Sequence, residues 1–159
     1  MDQIKSVCFT GHRHIGFNET LQKRLYTAIE ERIVGGAEDF YAGAALGWDM
    51  FCEKAVLAMK SRYPLIKLHL ILPCPPEEQT ARWNASSVSE YSRLLRAADD
   101  HTVVSTRYTP YCMKLRNERL IELSDCCICY YTDAKSGTGQ TVRLAQKKGI
   151  RIINLALPE

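Results

Sequence analysis

Short apolar runs alternate along the chain with longer segments whose apolar residues recur at helical spacing. After the first run, for example, Leu21, Leu25, Ala28, Ile29 and Ile33 fall on one helical face. This alternation is typical of βαβ units, which build a parallel sheet. We therefore predict a three-layer Rossmann-like α/β sandwich with a mainly parallel sheet and helices on both faces. A single domain is expected to span residues 1–159.

The ends of several helices are marked by capping residues. Asn18 is suited to begin the first helix, Gly35-Gly36 to end it, and Gly149 to end the last one. The strands are predicted at residues 4–10, 39–42, 66–72, 101–105, 126–131 and 150–155. The helices between the first and the last are predicted at 48–62, at 77–99 with a break near Ala85-Ser86-Ser87, and at 111–124.

Glycine-rich loops follow the first, second and fifth predicted strands. Glycine lets the backbone approach a ligand closely, and the helix that follows offers free N–H groups to phosphate. All strand-to-helix loops leave a parallel sheet at one edge. Taken together, the three loops lead us to expect one phosphate or nucleotide site, whereas each loop alone is better explained as a tight turn. The ligand-binding residues predicted from these loops are Gly11, His12, Arg13, Gly43, Ala44, Gly47, Asp49, Ser136, Gly137, Thr138, Gly139 and Thr141.

Two common nucleotide-binding motifs are absent from the sequence. Gly11 and Gly16 have the spacing of a P-loop, but Phe17 and Asn18 stand where that motif requires Lys and Ser or Thr. None of the three loops has the G-x-G-x-x-G pattern of dinucleotide-binding proteins. The sequence therefore excludes a P-loop NTPase and a standard NAD-binding fingerprint.

Composition narrows the class of protein. With 46% hydrophobic and 25% charged residues, the chain is globular rather than disordered. No apolar run reaches the roughly 18 residues of a membrane span. The seven cysteines are an odd number and lie mostly within apolar runs, so we expect buried reduced thiols and a cytoplasmic location. The C-x-x-C of Cys126–Cys129 lies within a predicted strand and lacks a second ligand pair, so neither a metal nor another obligatory cofactor is expected.

Several short motifs carry a family resemblance. They are Thr10-Gly11-His12-Arg13, the turn from Gly43 to Asp49, Gln79, Trp83, Tyr91, Arg116-Asn117, Ser124-Asp125 and Ser136-Gly137-Thr138. In this order and spacing they resemble the YpsA-like family of the SLOG superfamily, which also contains the Smf/DprA proteins and the LOG cytokinin-activating enzymes. The resemblance implies a Rossmann-like fold, often dimeric, that holds a nucleotide-derived ligand at its glycine loops.

The resemblance to LOG enzymes is incomplete at one chemical position. LOG enzymes cleave the N-glycosidic bond of nucleoside monophosphates with a PGGxGTxxE motif and an upstream arginine. Arg116 corresponds to that arginine and Gly137-Thr138 to the GT, but Thr141 stands at the glutamate. A threonine cannot supply carboxylate chemistry, so the resemblance implies binding rather than LOG-type hydrolysis.

Arg116 and Asn117 each have two interpretations. Arg116 could donate two N–H groups to a phosphate, or it could form a surface ion pair with Glu118 or Glu122. Asn117 could bind a ribose or a base, or cap local backbone.

Three further side chains are similarly open. Asp49 could contact a ribose hydroxyl or a metal, or only stabilise a helix N-terminus. His12 could act as an acid or base, or pack on Phe17. Trp83 could stack on a base, or could cover the core or a dimer interface together with Tyr91.

These observations lead to a main hypothesis and two alternatives. We expect a small nucleotide or nucleotide-derived ligand to bind at the carboxyl edge of the sheet of a homodimeric sensor or regulatory protein. One alternative is a nucleotide-processing hydrolase that cleaves an N-glycosidic or phosphoester bond, with Asp49, His12 and Glu53 as the acid–base candidates. The other is DNA binding, as in Smf/DprA. Nucleic acid is not the expected partner, because the net charge is only +3.

Overall fold

The computed structural model describes residues 3–158, so Met1, Asp2 and Glu159 of the predicted 1–159 domain lie outside the described residues. Within the described range, six strands alternate with helices in the predicted order. The strands are β1 Ser6–Gly11, β2 Asp39–Ala42, β3 Lys67–Leu72, β4 Asp100–Val103, β5 Cys126–Tyr130 and β6 Arg151–Asn154. The helices are α1 Glu19–Val34, α2 Trp48–Met59, α3 Pro76–Gln79, α4 Ala85–Ala97, α5 Cys112–Glu122 and α6 Gly137–Lys148.

The sheet has the order β4-β3-β2-β1-β5-β6, and every neighbouring pair is parallel. The chain builds the sheet outward from β1 to β4 and then returns to place β5 on the other side of β1. This return creates a topological switch point between β1 and β5, where ligands of open α/β sheets bind. The predicted Rossmann-like architecture is confirmed.

Helices cover both faces of the sheet, and each face has its own hydrophobic core. Helices α1, α2 and α4 pack on one face and contact one another in sequence, while α5 and α6 pack together on the other. Alternate residues of β1 supply the two cores, since Val7 and Phe9 belong to the first and Cys8 to the second. All seven cysteines are buried free thiols, as predicted.

The predicted helix ends are confirmed by their capping geometry. Asn18 accepts a hydrogen bond from the Leu21 backbone N–H at 2.8 Å, and Gly35 follows the last residue of α1. Gly149 ends α6 with φ +84°, a left-handed conformation that favours glycine. None of the helices within residues 3–158 is long and apolar enough to cross a membrane.

The polar segment over 77–99, predicted to be helical with a break near Ala85-Ser86-Ser87, forms two helices. A single turn, α3, ends at Gln79, and α4 begins only at Ala85, where Asn84 accepts a hydrogen bond from the Ser87 N–H at 2.8 Å. This cap places the interruption before Ala85 rather than within Ala85–Ser87. The short connection brings Gln79 and Trp83 to the edge of the sheet that carries the glycine loops.

Candidate functional site

A cleft of about 310 Å³ opens at the switch point between β1 and β5. We call it the switch-point cleft. Its lining residues are Phe9, Thr10, Gly11, His12, Arg13, Ala45, Asp49, Met113, Arg116, Asn117, Leu120, Ser136, Gly137 and Thr138. All three predicted loops, together with α5, therefore contribute to one concave site.

The loop after β1 forms one wall of the cleft. A Cβ on Gly11 would lie 2.3 Å from the Cγ of Trp48, so glycine is needed here for the packing of that indole. The ring Nε2 of His12 accepts a hydrogen bond from the Thr132 backbone N–H at 2.9 Å, which requires the tautomer with its proton on Nδ1. His12 thus joins the loops after β1 and β5. Its ring lies edge-on to Tyr130 rather than on Phe17, which packs on Phe51.

Hydrogen bonds and close packing within the protein hold the loop after β2 in its conformation. The backbone N–H groups of Ala44 and Ala45 donate to the carboxylates of Glu53 and Asp49, each at 3.2 Å. Ala44 has φ +59° and Gly47 has φ +81°. A Cβ on Gly47 would also lie 2.2 Å from the Arg13 carbonyl oxygen.

Five of the predicted ligand-binding residues are not among those that line the switch-point cleft. Each supports the loop or helix that forms the cleft wall, and the direct contact of these five residues with a ligand stays a prediction. These residues are Gly43, Ala44, Gly47, Gly139 and Thr141.

Arg116 lies at the floor of the cleft and is 6% exposed. Its Nη1 donates to the Gly43 carbonyl at 2.5 Å, its Nε to Asn117 Oδ1 at 2.7 Å, and its Nη2 to the Met113 sulfur at 3.6 Å. Within residues 3–158 these bonds engage three of its five N–H groups, so one on each terminal nitrogen remains for an anion. The alternative of a surface ion pair between Arg116 and Glu118 or Glu122 is wrong, because the guanidinium is buried.

Two buried carboxyl groups on α2 lie near the guanidinium of Arg116. Burial raises the pKa of Asp49 to about 6, against the opposing effects of Arg116 and the Ala45 N–H. Burial and the charge of Asp49 raise the pKa of Glu53 well above its ordinary value. Glu53 Oε1 has no hydrogen-bond partner among the described residues. Asp49 lines the cleft and Glu53 lies behind it, so only Asp49 is placed to meet a ligand.

The N-terminus of α6 forms the wall opposite α2. Ser136 caps it by accepting from the Gly139 N–H at 3.0 Å, and the Thr141 hydroxyl donates to the Gly137 carbonyl at 3.1 Å. Within the part of the chain that the structure describes, the N–H groups of Gly137 and Thr138 have no acceptor. A Cβ on Gly137 would meet nothing within 4 Å, so the cleft is open at this point.

Trp83 lies outside the switch-point cleft, in an adjoining depression of about 670 Å³ that shares Arg13 and Met113 with it. Trp83 also packs edge-on against Tyr91, with ring centroids 5.5 Å apart. The hydroxyl of Tyr91 donates to Gln79 Oε1 at 3.0 Å, and Gln79 donates to the Ala44 carbonyl at 3.4 Å. Trp83 therefore covers the core and faces a depression beside the cleft.

Five lining residues were not predicted from the sequence: Phe9, Thr10, Ala45, Met113 and Leu120. Phe9 and Thr10 are the residues before Gly11 on β1, and Ala45 lies within the second loop. Met113 and Leu120 lie three residues before and four after Arg116, which is one helical turn in each direction. Helical spacing around Arg116 was the available signal for these two.

No group of three or more His, Cys, Asp or Glu side chains within residues 3–158 is arranged to hold a metal ion. The cleft instead combines backbone N–H donors, two arginines and one carboxylate. The fold and the site together define a Rossmann-like α/β protein with a polar crevice at its switch point.

Comparison with known proteins gives the family. The YpsA model, described as the YspA SLOG family, matches residues 8–151. The chain is 31% identical over 140 residues to the SPbeta prophage-derived protein YoqJ of Bacillus subtilis, covering 80% of this chain and 81% of YoqJ. It is 28% identical to a UPF0398 protein of Halalkalibacterium halodurans, covering 80% of this chain and 67% of that one. The chain belongs to the YpsA family of SLOG proteins.

Two solved structures of DNA processing protein A share the fold. The protein from Helicobacter pylori, described with a single-stranded DNA binding mode, matches with a TM-score of 0.64 at 22% identity. The protein from Streptococcus pneumoniae matches with a TM-score of 0.66 at 16% identity. Each match covers 93% of this chain, but only 63% and 49% of the respective DprA chains. At these identities the likeness shows the fold alone.

Proposed function

We propose that the switch-point cleft binds a nucleotide or nucleotide-derived ligand and that the protein acts as a sensor or regulatory module. The observation that carries this proposal is the convergence of two free backbone N–H groups at the start of α6 with the buried guanidinium of Arg116. A helix N-terminus favours an anion through its dipole and its unpaired donors, and an adjacent arginine adds charge-assisted hydrogen bonds.

Each wall of the cleft has a part in this proposal. The N–H groups of Gly137 and Thr138 receive the phosphate together with Arg116. Asp49 and Asn117 provide a hydrogen-bond acceptor and a donor for ribose hydroxyls. Trp83 provides a stacking surface for a base that extends into the adjoining depression. No obligatory cofactor forms part of the proposal.

Hydrolysis of the bound nucleotide is a second candidate function, and Asp49 is the observation that favours it. A carboxyl group with a pKa of about 6 in the cleft is suited to exchange a proton near neutral pH. The site differs from that of LOG enzymes, because Thr141 is fully buried at the position of their glutamate. Incubation of the protein with nucleotides that bind it, followed by chromatography for free base or phosphate, tests this function.

DNA binding stays a third candidate on account of the fold shared with the DprA proteins. It predicts an affinity for single strands that falls steeply with salt concentration, because bound phosphates release counterions. The nucleotide proposal predicts that mononucleotides compete for the same cleft.

Substitution of Gly137 tests the phosphate position directly. Gly137→Asp places a carboxylate at the first residue of α6, where a negative charge favours the helix but repels an anion in the cleft. Gly137→Asn has almost the same volume without the charge. We expect the aspartate variant to lose at least tenfold in affinity for AMP relative to the asparagine variant, measured by isothermal titration calorimetry.

Gly16→Asp is the matched control for added charge, because a Cβ on Gly16 also meets nothing within 4 Å and Gly16 does not line the cleft. It should bind AMP as the wild type does. Equal affinities of the Gly137→Asp and Gly137→Asn variants would place the anion elsewhere and refute the proposed binding mode.

A homodimer is part of the proposal, and exposed apolar side chains on α5 support it. Tyr111 precedes α5 and Leu115 lies one turn further, and they are 70% and 46% exposed. Sedimentation equilibrium of the wild type and of Leu115→Glu tests this assembly. A dimer that dissociates more readily in the variant supports the proposed assembly. A wild type that is still monomeric at 100 times the protein concentration of the binding measurements refutes it.

A further inference from the structure

A second depression, of about 260 Å³, lies between α5 and α6 beside the switch-point cleft. We call it the α5–α6 groove. Its lining residues are Lys114, Asn117, Gln140, Arg143, Leu144 and Lys147. The function proposed above makes no use of it.

Cationic residues are concentrated along the groove, in a chain whose net charge is only +3. Three of its six lining side chains are cationic, and no carboxylate of the described residues lines it. Arg143 and Lys147 are four residues apart on one helical face, an arrangement of like charges that costs a few tenths of a kcal/mol. The fold therefore holds positive charge together at this place without a protein counter-ion.

Charged residues beside the groove, in contrast, form hydrogen bonds or ion pairs within the protein. Lys148, the next residue of α6, donates to the carbonyls of Ile121, Glu122 and Ser124 at 2.9–3.0 Å and so caps the end of α5. Glu122 pairs with Arg119 at 3.0 Å. Within residues 3–158, Lys114 and Lys147 have no ion pair of this kind. Their ammonium groups are available to a ligand.

The groove and the switch-point cleft adjoin at Asn117, which lines both. Because Asn117 Oδ1 accepts from Arg116 Nε, its amide nitrogen is left as a donor. The cleft and the groove, at 310 and 260 Å³, together have the size that a single small ligand fills. One ligand can therefore reach from the N-terminus of α6 into the groove.

We propose that the α5–α6 groove is a second anion subsite, so that the ligand is a nucleotide carrying more than one phosphate group. The first phosphate lies at the N-terminus of α6, and Lys114 and Lys147 hold the second. This inference rests on the function proposed above and deepens it, because it names the class of nucleotide. Lysine suits this position as a mobile point charge that can follow a flexible phosphate.

The test compares one-phosphate and multi-phosphate probes. We expect adenosine 3′,5′-bisphosphate or ATP to bind the wild type at least tenfold more tightly than AMP, measured by calorimetry at fixed ionic strength. In the double variant Lys114→Gln/Lys147→Gln this preference should fall below threefold, while the affinity for AMP stays within twofold. Arg143 is left unchanged, because its Nη1 donates to the Ala134 carbonyl at 2.7 Å and supports the loop before α6.

The control variant is Lys23→Gln/Lys67→Gln, which removes the same charge from two exposed lysines on α1 and β3. It should retain the preference for several phosphates. AMP binding without any preference, or a preference lost equally in both double variants, would overturn the groove subsite and leave the proposed function standing. Failure of every nucleotide to bind the wild type would remove both.

Single-stranded nucleic acid is the competing occupant of this basic groove. An oligothymidylate that binds more tightly than any mononucleotide, with affinity increasing from two to twelve nucleotides, would overturn the assignment to a small ligand. Oligonucleotides that bind no better than their terminal nucleotide would support it.

Discussion

The position of Arg116 depends on the absence of a side chain at Gly43. The guanidinium passes so close to this glycine that a Cβ there would lie 2.1 Å from Nη1, and Nη1 donates to the Gly43 carbonyl. Buried hydrogen bonds to a charged group are among the stronger ones in a protein. A glycine predicted to approach a ligand thus makes room for an arginine instead.

We expect Gly43→Ala to displace the Arg116 guanidinium and to lower the free energy of unfolding by about 1–3 kcal/mol. Gly16→Ala is the control, since a Cβ at that position meets nothing within 4 Å, and should change the stability by less than about 0.5 kcal/mol. Urea unfolding monitored by circular dichroism measures both. Indistinguishable midpoints for the two variants would show that Arg116 does not occupy this position.

Asp49 makes a distinct prediction about pH. Its pKa is about 6 in the folded protein and near 3.9 in an unfolded chain, so between these values the unfolded state releases the proton first. Raising the pH from 4 to 6 therefore lowers the free energy of unfolding, by up to about 3 kcal/mol, and no further loss from this group follows above pH 7. Asp49→Asn does not titrate.

The stability of the wild type relative to Asp49→Asn should accordingly decline between pH 4 and pH 6 and then stay level. Urea unfolding of both proteins at each pH unit from 4 to 8 measures this difference, in which the titration of other groups largely cancels. A difference that is constant over the whole range would contradict a buried, protonated Asp49.

The residues show which parts of the site the sequence could predict. Glycine-rich loops at one sheet edge correctly located the cleft, because their position follows from parallel topology. The role of each glycine did not follow, since it depends on the atom opposite: Trp48 for Gly11, Arg116 for Gly43, and the Ala134 carbonyl for Gly139. Such tertiary neighbours leave no local pattern in the sequence.

Among the elements, β4 is held to the sheet partly by a small number of polar side-chain contacts. It is one of the two outer strands of the sheet and is exposed along its length. Just before it, Asp99 pairs with Lys60 at 2.5 Å. On β3, His69 contacts Asp39 and Asp100 through its two ring nitrogens, each at 2.8 Å, and stacks on Tyr41.

His69 should stabilise the attachment of β4 mainly at low pH. Burial lowers its pKa, but hydrogen bonds to Asp39 and Asp100 outweigh this effect and leave the pKa raised. The stabilisation is therefore complete below the unfolded value of about 6.5 and is lost as the pH rises through the folded pKa. We expect His69→Gln to cost about 1 kcal/mol at pH 5.5 and less at pH 9.

Urea unfolding at the two pH values measures this loss. His101→Gln, on the exposed strand β4 itself, is the control for removing an imidazole from this edge of the sheet. An equal loss at both pH values in His69→Gln would mean that the imidazole acts by packing rather than by charge.

Element boundaries were predictable where local residues set them and were not predictable where tertiary contacts did. Strand β2 and the ends of α1 were predicted to the residue, because strong capping and turn residues flank them. The predicted strand at 101–105 was displaced, since β4 is set by its register with β3 at Asp100–Val103. Pairing with a neighbouring strand decided this boundary.

In the molecule as a whole, the switch point between β1 and β5 creates the cleft. Strands β1 and β5 are far apart in sequence but adjacent in the sheet, so the loops that follow them form one cleft between α2 on one face and α5 and α6 on the other. The alternation of elements predicted the sandwich. The strand order was not predicted, because it depends on which strand the chain returns to after β4.

Thermal unfolding in the presence of ligands is the first measurement to make on the proposed binding of a nucleotide phosphate in this cleft. The panel consists of AMP, ADP, ATP, NAD, ADP-ribose, cyclic AMP and ribose 5-phosphate, with inorganic phosphate and salt as controls. A ligand at 100 times its Kd stabilises the protein by about 2.7 kcal/mol, which raises the Tm of a domain of this size by about 5–10 °C. We expect such a shift for at least one nucleotide class, and we expect Gly137→Asp but not Gly137→Asn to lose it. A Tm unchanged by every nucleotide at millimolar concentration would contradict the proposed binding.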